Sequence, residues 1–419
     1  MAALKTLVAL SGGVDSSTAA YLLREEGAAP GAVFMRHPFQ PVFDRDESER
    51  FWGGSSAAKN IPLYAAGEES GPRAVFWTPD RFPLPRDAAD AFRVAQALEI
   101  PFFLFDAEPI FRRVVDHWAG EYLAGRTPNP CVLCNRILKF GALVDLARDR
   151  GYDRFATGHY VRRTVCAEWR LSGVGRLPDW LVGEPDDAPV LLRGNSEKDQ
   201  SYVLYGVSRD RLSAVVFPLA GLTKPQVRQI AADARIPVAQ KRESQDLCFV
   251  PADEAPFDFL RRLVGPIETA GNFVSRDGTV LGAHRGYEKY TVGQRKGLGI
   301  GFGERTFVQQ IVPLRKEVVL GTRGDLARST VRAAGANWIA PVPIGVPFRA
   351  DVKIRYRSPA VGASVTAEAD GTVAARLDEP RDGVAPGQSL VCYWKDRLIG
   401  GGIIAENREE NSFPEGSVR

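Results

Sequence analysis

Scarcities narrow what this chain of 419 residues can be. No apolar run approaches the roughly 20 residues that a membrane-crossing helix needs, so no membrane partner is expected. Histidine occurs only at His37, His117, His159 and His284, too scattered for a His-rich metal centre. Cysteine occurs five times, as Cys131, Cys134, Cys166, Cys248 and Cys392. An odd count in a long chain argues against a disulfide framework and for reactive or buried thiols. Net charge is also slight, +3, which neither requires nor opposes a nucleic-acid partner. There is no internal repeat.

What is present reads as a soluble globular protein: 44% of residues are apolar and 25% charged, enough core for two or three domains. The most informative stretch is Ser11-Gly12-Gly13-Val14-Asp15-Ser16-Ser17. Ahead of it, Leu4 to Leu10 is apolar and rich in strand formers. Behind it, Ala19, Ala20, Leu22 and Leu23 recur on a helical period until Gly27. A strand, a glycine turn and a helix make an anion cradle. Free backbone N–H groups bind phosphate, and the hydroxyls of Ser11, Ser16 and Ser17 add donors. No Gly-Lys-Ser/Thr follows, so this is not a Walker loop. The apolar start has the look of a signal segment, but it runs into the loop without a cleavage pattern. It is read as the first strand, with a cytoplasmic location expected.

Alternating patterns predict a strand at 31–35, a helix at 87–98, a strand at 102–105, and helices at about 109–124 and 137–150. A strand at 154–156 leads into Thr157-Gly158-His159-Tyr160. The fold class expected is α/β: a doubly wound parallel-sheet domain over residues 1–253, its ligands at the carboxyl ends of the strands. Irregular insertions fall at about 36–86 and 163–190. Thr223 caps a further helix, with Pro225 in its first turn and Val227, Ile230, Ala231 and Ala234 facing the core. From residue 254 short β-branched runs take over: 306–312, 317–320, 352–356, 364–367, 373–377 and 389–394. They predict a small central β-rich domain at 254–325, a C-terminal β-barrel at 326–406 and a polar tail at 407–419.

Thr127-Pro128-Asn129-Pro130-Cys131-Val132-Leu133-Cys134 puts two thiols in a rigid turn just ahead of a helix, where a thiolate is stabilised. Other readings compete. Half a zinc site would need a second Cys or His pair, and a thioredoxin-like pair would need another βαβ setting. Buried structural thiols would need nothing more. Cys248, in Glu243-Ser244-Gln245-Asp246-Leu247-Cys248-Phe249, is ambiguous by itself, and Cys166 and Cys392 read as packing residues.

The loop resembles the SGGxDS signature of the PP-loop ATP pyrophosphatases. More of the chain is similar to the tRNA-specific 2-thiouridylases (MnmA/TrmU family). The matching stretches are SGGVDSS, AGRTPNPCVLCNRILKF (124–140), ATGHY (156–160), KDQSYVLY (198–205), FPLAGLTKPQVR (217–228), ESQDLCF (243–249), YTVGQRKGLGI (290–300) and APGQSLVCYW (385–394), in the family's order.

The resemblance implies a tRNA-uridine 2-sulfurtransferase. ATP would adenylylate the C2 oxygen of the wobble uridine of tRNA (U34), releasing pyrophosphate, and the product would be 2-thiouridine and AMP. A sulfur-relay protein would load a persulfide on Cys248. Cys134 would be the nucleophile, leaving a Cys134–Cys248 disulfide. The resemblance puts ATP against Ala9, Leu10, Ser11, Gly12, Gly13, Val14, Asp15, Ser16, Met35 and Gly158, with Mg²⁺ near Asp15. Gly158 would be glycine because a side chain would block the adenine ring. Asn129, Pro130 and Cys131 would contact a target base flipped from its stack. Lys198, Asp199 and Gln200 would touch tRNA, as would Arg355 and Tyr356. Lys353, Arg355 and Arg357 alternate, so a strand would put them on one face, as in a phosphate-tracking surface or a merely solvated one.

Where many relatives carry Asp, a candidate acid/base, this chain has Cys131, a poorer proton shuttle. Cys131, Cys134 and Cys248 also form a three-thiol set, for which a [4Fe-4S] cluster is the minor alternative. Two other function classes remain: another PP-loop adenylylating ligase, for which Cys134→Ser would be harmless, and a catalytically inactive tRNA-binding relative.

Overall fold

The computed structural model describes residues 3–43, 61–65, 75–77, 84–195, 197–242, 247–299 and 305–406. It divides into two compact units. One is Met1–Val115, Leu133–Gly175 and Pro185–Ala255; the other is Asp116–Val132, Arg176–Glu184 and Pro256–Arg419. No helix among the described residues is long and apolar enough to cross a membrane.

The first unit contains strands β1 (Lys5–Ala9), β2 (Ala29–Arg36), β3 (Pro62–Ala65), β4 (Val75–Phe76), β5 (Phe102–Asp106), β6 (Arg154–Ala156), β7 (Val161–Val165), β8 (Pro189–Arg193) and β9 (Val215–Val216). Seven of them form a sheet in the order β4-β3-β5-β2-β1-β6-β9, parallel except at the β3–β4 edge. From β1 the chain winds outward through β2 and β5, then returns to β6 on the other side of β1. That reversal makes the end of β1 the switch point where such sheets bind ligands. Val8, Leu10, Phe34, Leu104 and Ala156 are buried in one core with the inner face of the helix Arg86–Ala97. Ala88, Ala91, Phe92 and Ala95 line that face, as the 3.6-residue period predicts.

Both expected insertions carry more structure than their composition suggests. Within 36–86, β3 pairs in parallel with β5 and extends the sheet, while 44–60, 66–74 and 78–83 lie outside the described residues. Within 163–190, β7 and β8 form an antiparallel pair, and the chain between them contains the helix Cys166–Leu171 and the short helix Asp179–Val182. Cys166 and Trp169 bury that first helix. Glycine and proline here punctuate elements rather than dissolve them.

The second unit holds β10 (Gly271–Val274), β11 (Val280–His284), β12 (Phe307–Val312) and β13 (Glu317–Gly321) in a sheet ordered β11-β10-β13-β12. A helix, Pro256–Val264, precedes it. Six antiparallel strands follow: β14 (Arg328–Trp338), β15 (Phe348–Lys353), β16 (Val361–Ala367), β17 (Val373–Arg381), β18 (Ser389–Trp394) and β19 (Arg397–Ile404). They run β14-β17-β16-β15-β18-β19, and β14 pairs back onto β19, closing the expected barrel. Alternate residues of β16 are buried, as a barrel wall requires. In the same unit the Glu184 carboxylate takes a hydrogen bond from Arg397 at 2.5 Å, both side chains fully buried.

Candidate active site

The connection from β1 to the helix α1 (Val14–Glu25) is only Leu10 to Gly13. The Ser11 N–H donates to Ser16 Oγ (3.1 Å), and the two hydroxyls lie 3.0 Å apart. The hydroxyls of Ser16 and Ser17 both donate to the Gly13 carbonyl. No side chain caps α1, so its first N–H groups are left for another acceptor. Together with the dipole of a 12-residue helix, that donor set fits the phosphates of a nucleotide. Gly12 has φ +74°, and a Cβ there would stand 2.3 Å from the Asp87 carbonyl oxygen.

Side chains distant in sequence brace the loop. Asp15 Oδ1 accepts from Lys224 Nζ (2.6 Å) and from the Tyr160 hydroxyl (2.7 Å). Lys241 Nζ donates to Asp87 and Asp90, each at 2.6 Å, and to the Gly12 carbonyl at 3.1 Å. Burial works against the Lys241 charge, but the two carboxylates outweigh it and raise its pKa. Gly158 meets the loop itself: a Cβ would lie 2.8 Å from Ser16 N. Packing against the loop by itself requires that Gly158 carry no side chain. Met35, at the end of β2, offers its carbonyl to Gln40 Nε2. Among the described residues no group of three or more His, Cys, Asp or Glu could hold a metal ion.

The thiol segment departs from expectation at its start. The helix begins at Pro130 rather than at about 137, and Cys131 and Cys134 lie inside it. Proline suits a first helical position, and the Asn129 side chain caps the end by accepting from the Cys131 N–H at 3.2 Å. From Asn135 to Ala142 the helix widens to a π-helix, a form concentrated at functional sites, before Leu143–Asp149 resumes the α form. Asn135 is buried and donates to the Val203 carbonyl. Ahead of the helix, Gln388 Nε2 donates to the Thr127 carbonyl, and the Thr127 N–H donates to Pro386 O, each at 2.8 Å. The APGQ stretch therefore fixes the backbone leading to Asn129.

Cys131 is exposed, Cys134 is buried, and none of the five cysteines is in a disulfide. Cys248 is exposed just beyond residues 243–246, which lie outside the described residues, and its neighbour Phe249 is buried edge-on against Phe111. Cys166 and Cys392 are packing residues, and burial pushes the Cys392 thiol up to about 12.

Of the segments expected to meet tRNA, Asp199 and Gln200 are engaged internally. Asp199 accepts from the N–H groups of Gly194 and Ser201, and Gln200 exchanges two hydrogen bonds with the Tyr160 backbone. Lys198 is half-buried. The charged stripe on one strand is a misreading. β15 stops at Lys353, where its pairing with Val391 of β18 ends. Ile354 turns inward, and Ser358 closes a turn onto the Arg355 carbonyl. Arg355 leaves the strand face: its Nη2 donates to the Val292 carbonyl at 2.8 Å. Tyr356 lies in the turn, with Lys353 Nζ 5.9 Å from its ring.

Sequence reading missed the braces. Tyr160 and Lys224 lie in stretches that carried the resemblance but received no role. Lys241 is 154 residues from Asp87, beyond any periodic signal.

Comparison with known proteins adds the following. Residues 4–60 and 74–252 match a family model described as a tRNA methyl transferase HUP domain. Residues 257–322 match a tRNA methyl transferase PRC-barrel domain, and 328–404 an aminomethyltransferase beta-barrel domain. A tRNA-specific 2-thiouridylase MnmA of Geotalea uraniireducens is 38% identical over 402 residues, 96% of this chain and 94% of that one. The protein of the same name from Geobacter metallireducens is 38% identical over 96% of each chain. A 2-thiouridylase MnmA 1 of Clostridium botulinum strain Langeland is 34% identical over 96% of this chain and 99% of its own.

Proposed function

The chain belongs to the tRNA-specific 2-thiouridylase family, and from that premise we propose that it is an ATP-dependent tRNA-uridine 2-sulfurtransferase acting at the wobble position. The observation that carries this reading is the uncapped N-terminus of α1 behind the Ser11–Gly13 turn, at the sheet's switch point. Activating a carbonyl oxygen by adenylylation requires that pyrophosphate be held as it leaves. Donors fixed in advance by Ser11, Ser16 and the first turn of α1 supply that stabilisation. Asp15, oriented by Lys224 and Tyr160, would face the cation that accompanies the phosphates.

Sulfur transfer is assigned to the thiols. Exposed Cys248 suits loading by a sulfur-relay donor protein, which would leave a persulfide there. Its outer sulfur would bond to C2 of the activated uridine as AMP departs. Thiolate attack by Cys134 on the inner sulfur would complete release and form the Cys134–Cys248 disulfide, which two electrons from an external dithiol would reduce. Asn129, Pro130 and Cys131, at the capped start of the thiol helix, would meet the extruded base. The domain division at 253 and 325 belongs to the same reading, with the later domains holding RNA.

The test incubates the protein with unmodified tRNA, ATP, Mg²⁺ and a persulfide source, with and without oxygen, and analyses nucleosides by mass spectrometry. Wild type should yield 2-thiouridine, and Cys134→Ser and Cys248→Ser should yield none. A methylated base would favour the chemistry in the family model's description. Cleavage of ATP to AMP without thiolation would point to another adenylylating ligase, and tRNA binding without pyrophosphate release to an inactive relative. Product from anaerobic, iron-bearing protein alone would move sulfur delivery to a cluster.

A further inference from the structure

The brace that Lys241 places on the phosphate loop uses the whole of its ammonium group. Its N–H bonds face three acceptors: Asp87 Oδ1 and Asp90 Oδ2, each at 2.6 Å, and the Gly12 carbonyl at 3.1 Å. An ammonium has three protons, so all are committed within the protein. The backbone that carries Lys241 is held in turn, because Arg228 Nη1 donates to the Ala239 and Lys241 carbonyls, each at 3.3 Å. Arg228 lies on the helix Lys224–Asp233, and all of these residues belong to the first unit. The ammonium is therefore a fixed point, and of its three acceptors Gly12 alone lies in the turn between β1 and α1.

A trans peptide sends its carbonyl and its N–H in opposite directions. With the Gly12 carbonyl pinned on Lys241, the Gly13 N–H of the same peptide unit points to the other side of the turn. The next peptide is pinned as well. The Gly13 carbonyl accepts from the Ser17 N–H (3.2 Å) and from the hydroxyls of Ser16 (3.2 Å) and Ser17 (2.8 Å), which directs the Val14 N–H. Gly12 has no side chain to resist rotation, so its peptide faces whichever way its carbonyl is held. Ser16 and Ser17 come with α1 itself, whereas Lys241 is brought to Gly12 across 229 residues.

We propose that Lys241 is a positioning residue for pyrophosphate release: by holding the Gly12 carbonyl it turns the Gly13 N–H toward the departing phosphates, so that a donor is in place before charge develops. The inference rests on the loop being the site of ATP cleavage, and it adds the group that sets the direction of the loop's donors. Asp87 and Asp90 serve Lys241 rather than the nucleotide, since carboxylates and phosphates repel one another.

The experiment measures three quantities on the full chain: binding of inorganic pyrophosphate by calorimetry, pyrophosphate release from ATP on unmodified tRNA, and binding of labelled tRNA by anisotropy. Wild type is compared with Lys241→Met and with the triple variant Lys241→Met/Asp87→Asn/Asp90→Asn, which neutralises the two acids that the single change leaves unpaired. Both variants should bind pyrophosphate about tenfold more weakly, the worth of one hydrogen bond to a charged acceptor. Their kcat for release should fall about a hundredfold, as for other fixed donors to developing charge, with tRNA affinity unchanged. Recovery of release in the triple variant would mean that Lys241 only neutralises Asp87 and Asp90, which overturns the proposal. So would a parallel loss of tRNA affinity in the triple variant, the sign of a loosened fold, or a wild-type kcat in Lys241→Met. If wild type itself neither binds pyrophosphate nor releases it from ATP, the functional reading falls and takes the proposal with it.

Discussion

A methyl group added at Gly12 would meet two penalties at once. With φ at +74° an L side chain is strained, and its Cβ would be driven to 2.3 Å from the Asp87 carbonyl oxygen. Asp87 cannot yield without disturbing Lys241, which holds both it and the Gly12 carbonyl. Gly27 has a similar φ, +76°, with nothing within 4 Å of its would-be Cβ. Gly27→Ala should therefore cost only the backbone term, about 1 kcal/mol, whereas Gly12→Ala should cost about 2–3 kcal/mol. Gly12→Ala should also abolish pyrophosphate release, which Gly27→Ala should leave intact. Urea unfolding of the two variants, with a pyrophosphate-release assay, makes the comparison. Equal losses in both would mean that the contact with Asp87 is easily relaxed.

Among elements, the helix Lys224–Asp233 links capping chemistry to the site. Thr223 and Gln226 form a reciprocal capping box, and Pro225 stiffens the first turn. Lys224, the first residue of that turn, is the one that reaches Asp15. Thr223→Ala should cost about 1 kcal/mol of stability, and fraying of the first turn should slow pyrophosphate release further than that loss explains. Thr223→Ser, which keeps the hydroxyl, should restore both. Unfolding curves and release rates for the pair decide it, and a Thr223→Ala protein with normal rates would separate the cap from the site. This helix, its cap and its buried Val227 and Ala231 were all legible in the sequence, because capping and amphipathic period are local signals. So were β1, the helix Arg86–Ala97 and β18, where one short pattern dictates one element. The helical start at Pro130 was not, because proline reads as a breaker until its place at the first position is known. The π-helix after Cys134 leaves no sequence pattern. The end of β15 is set by its partner β18, and the Lys241–Asp87 bridge by tertiary folding alone. What chemistry the motifs imply was readable; which residues hold them still was not.

At the scale of the whole molecule, three of the four histidines are folded away from protons, in both units. His37 lies flat on Phe111, ring centroids 3.8 Å apart, and burial, aided by the Arg36 charge, lowers its pKa from 6.5 to about 3. His159 is held well below its usual value by complete burial and the Lys139 charge, with Thr157 Oγ1 2.8 Å from its Nδ1. Burial also lowers His284, in the second unit. Each is depressed on folding, so the unfolded chain binds more protons below its own histidine pKa, and stability must fall as pH falls. The loss begins near pH 6.5 and for His37 continues to about 3. His37 alone should account for about 2 kcal/mol between neutrality and pH 5. Carboxylates held low by partners, such as Glu108 beside Arg112 and Arg36, add to acid lability only further down, near the ordinary carboxylate range. The interval from pH 6.5 to 5 therefore isolates the histidines. Urea unfolding at pH 7 and pH 5.5 should show wild type losing stability, while His37→Phe, which keeps the stack on Phe111, should lose distinctly less. An identical pH dependence in the variant would mean that His37 is protonated in the folded chain, and that the stack does not exclude the charge its burial implies.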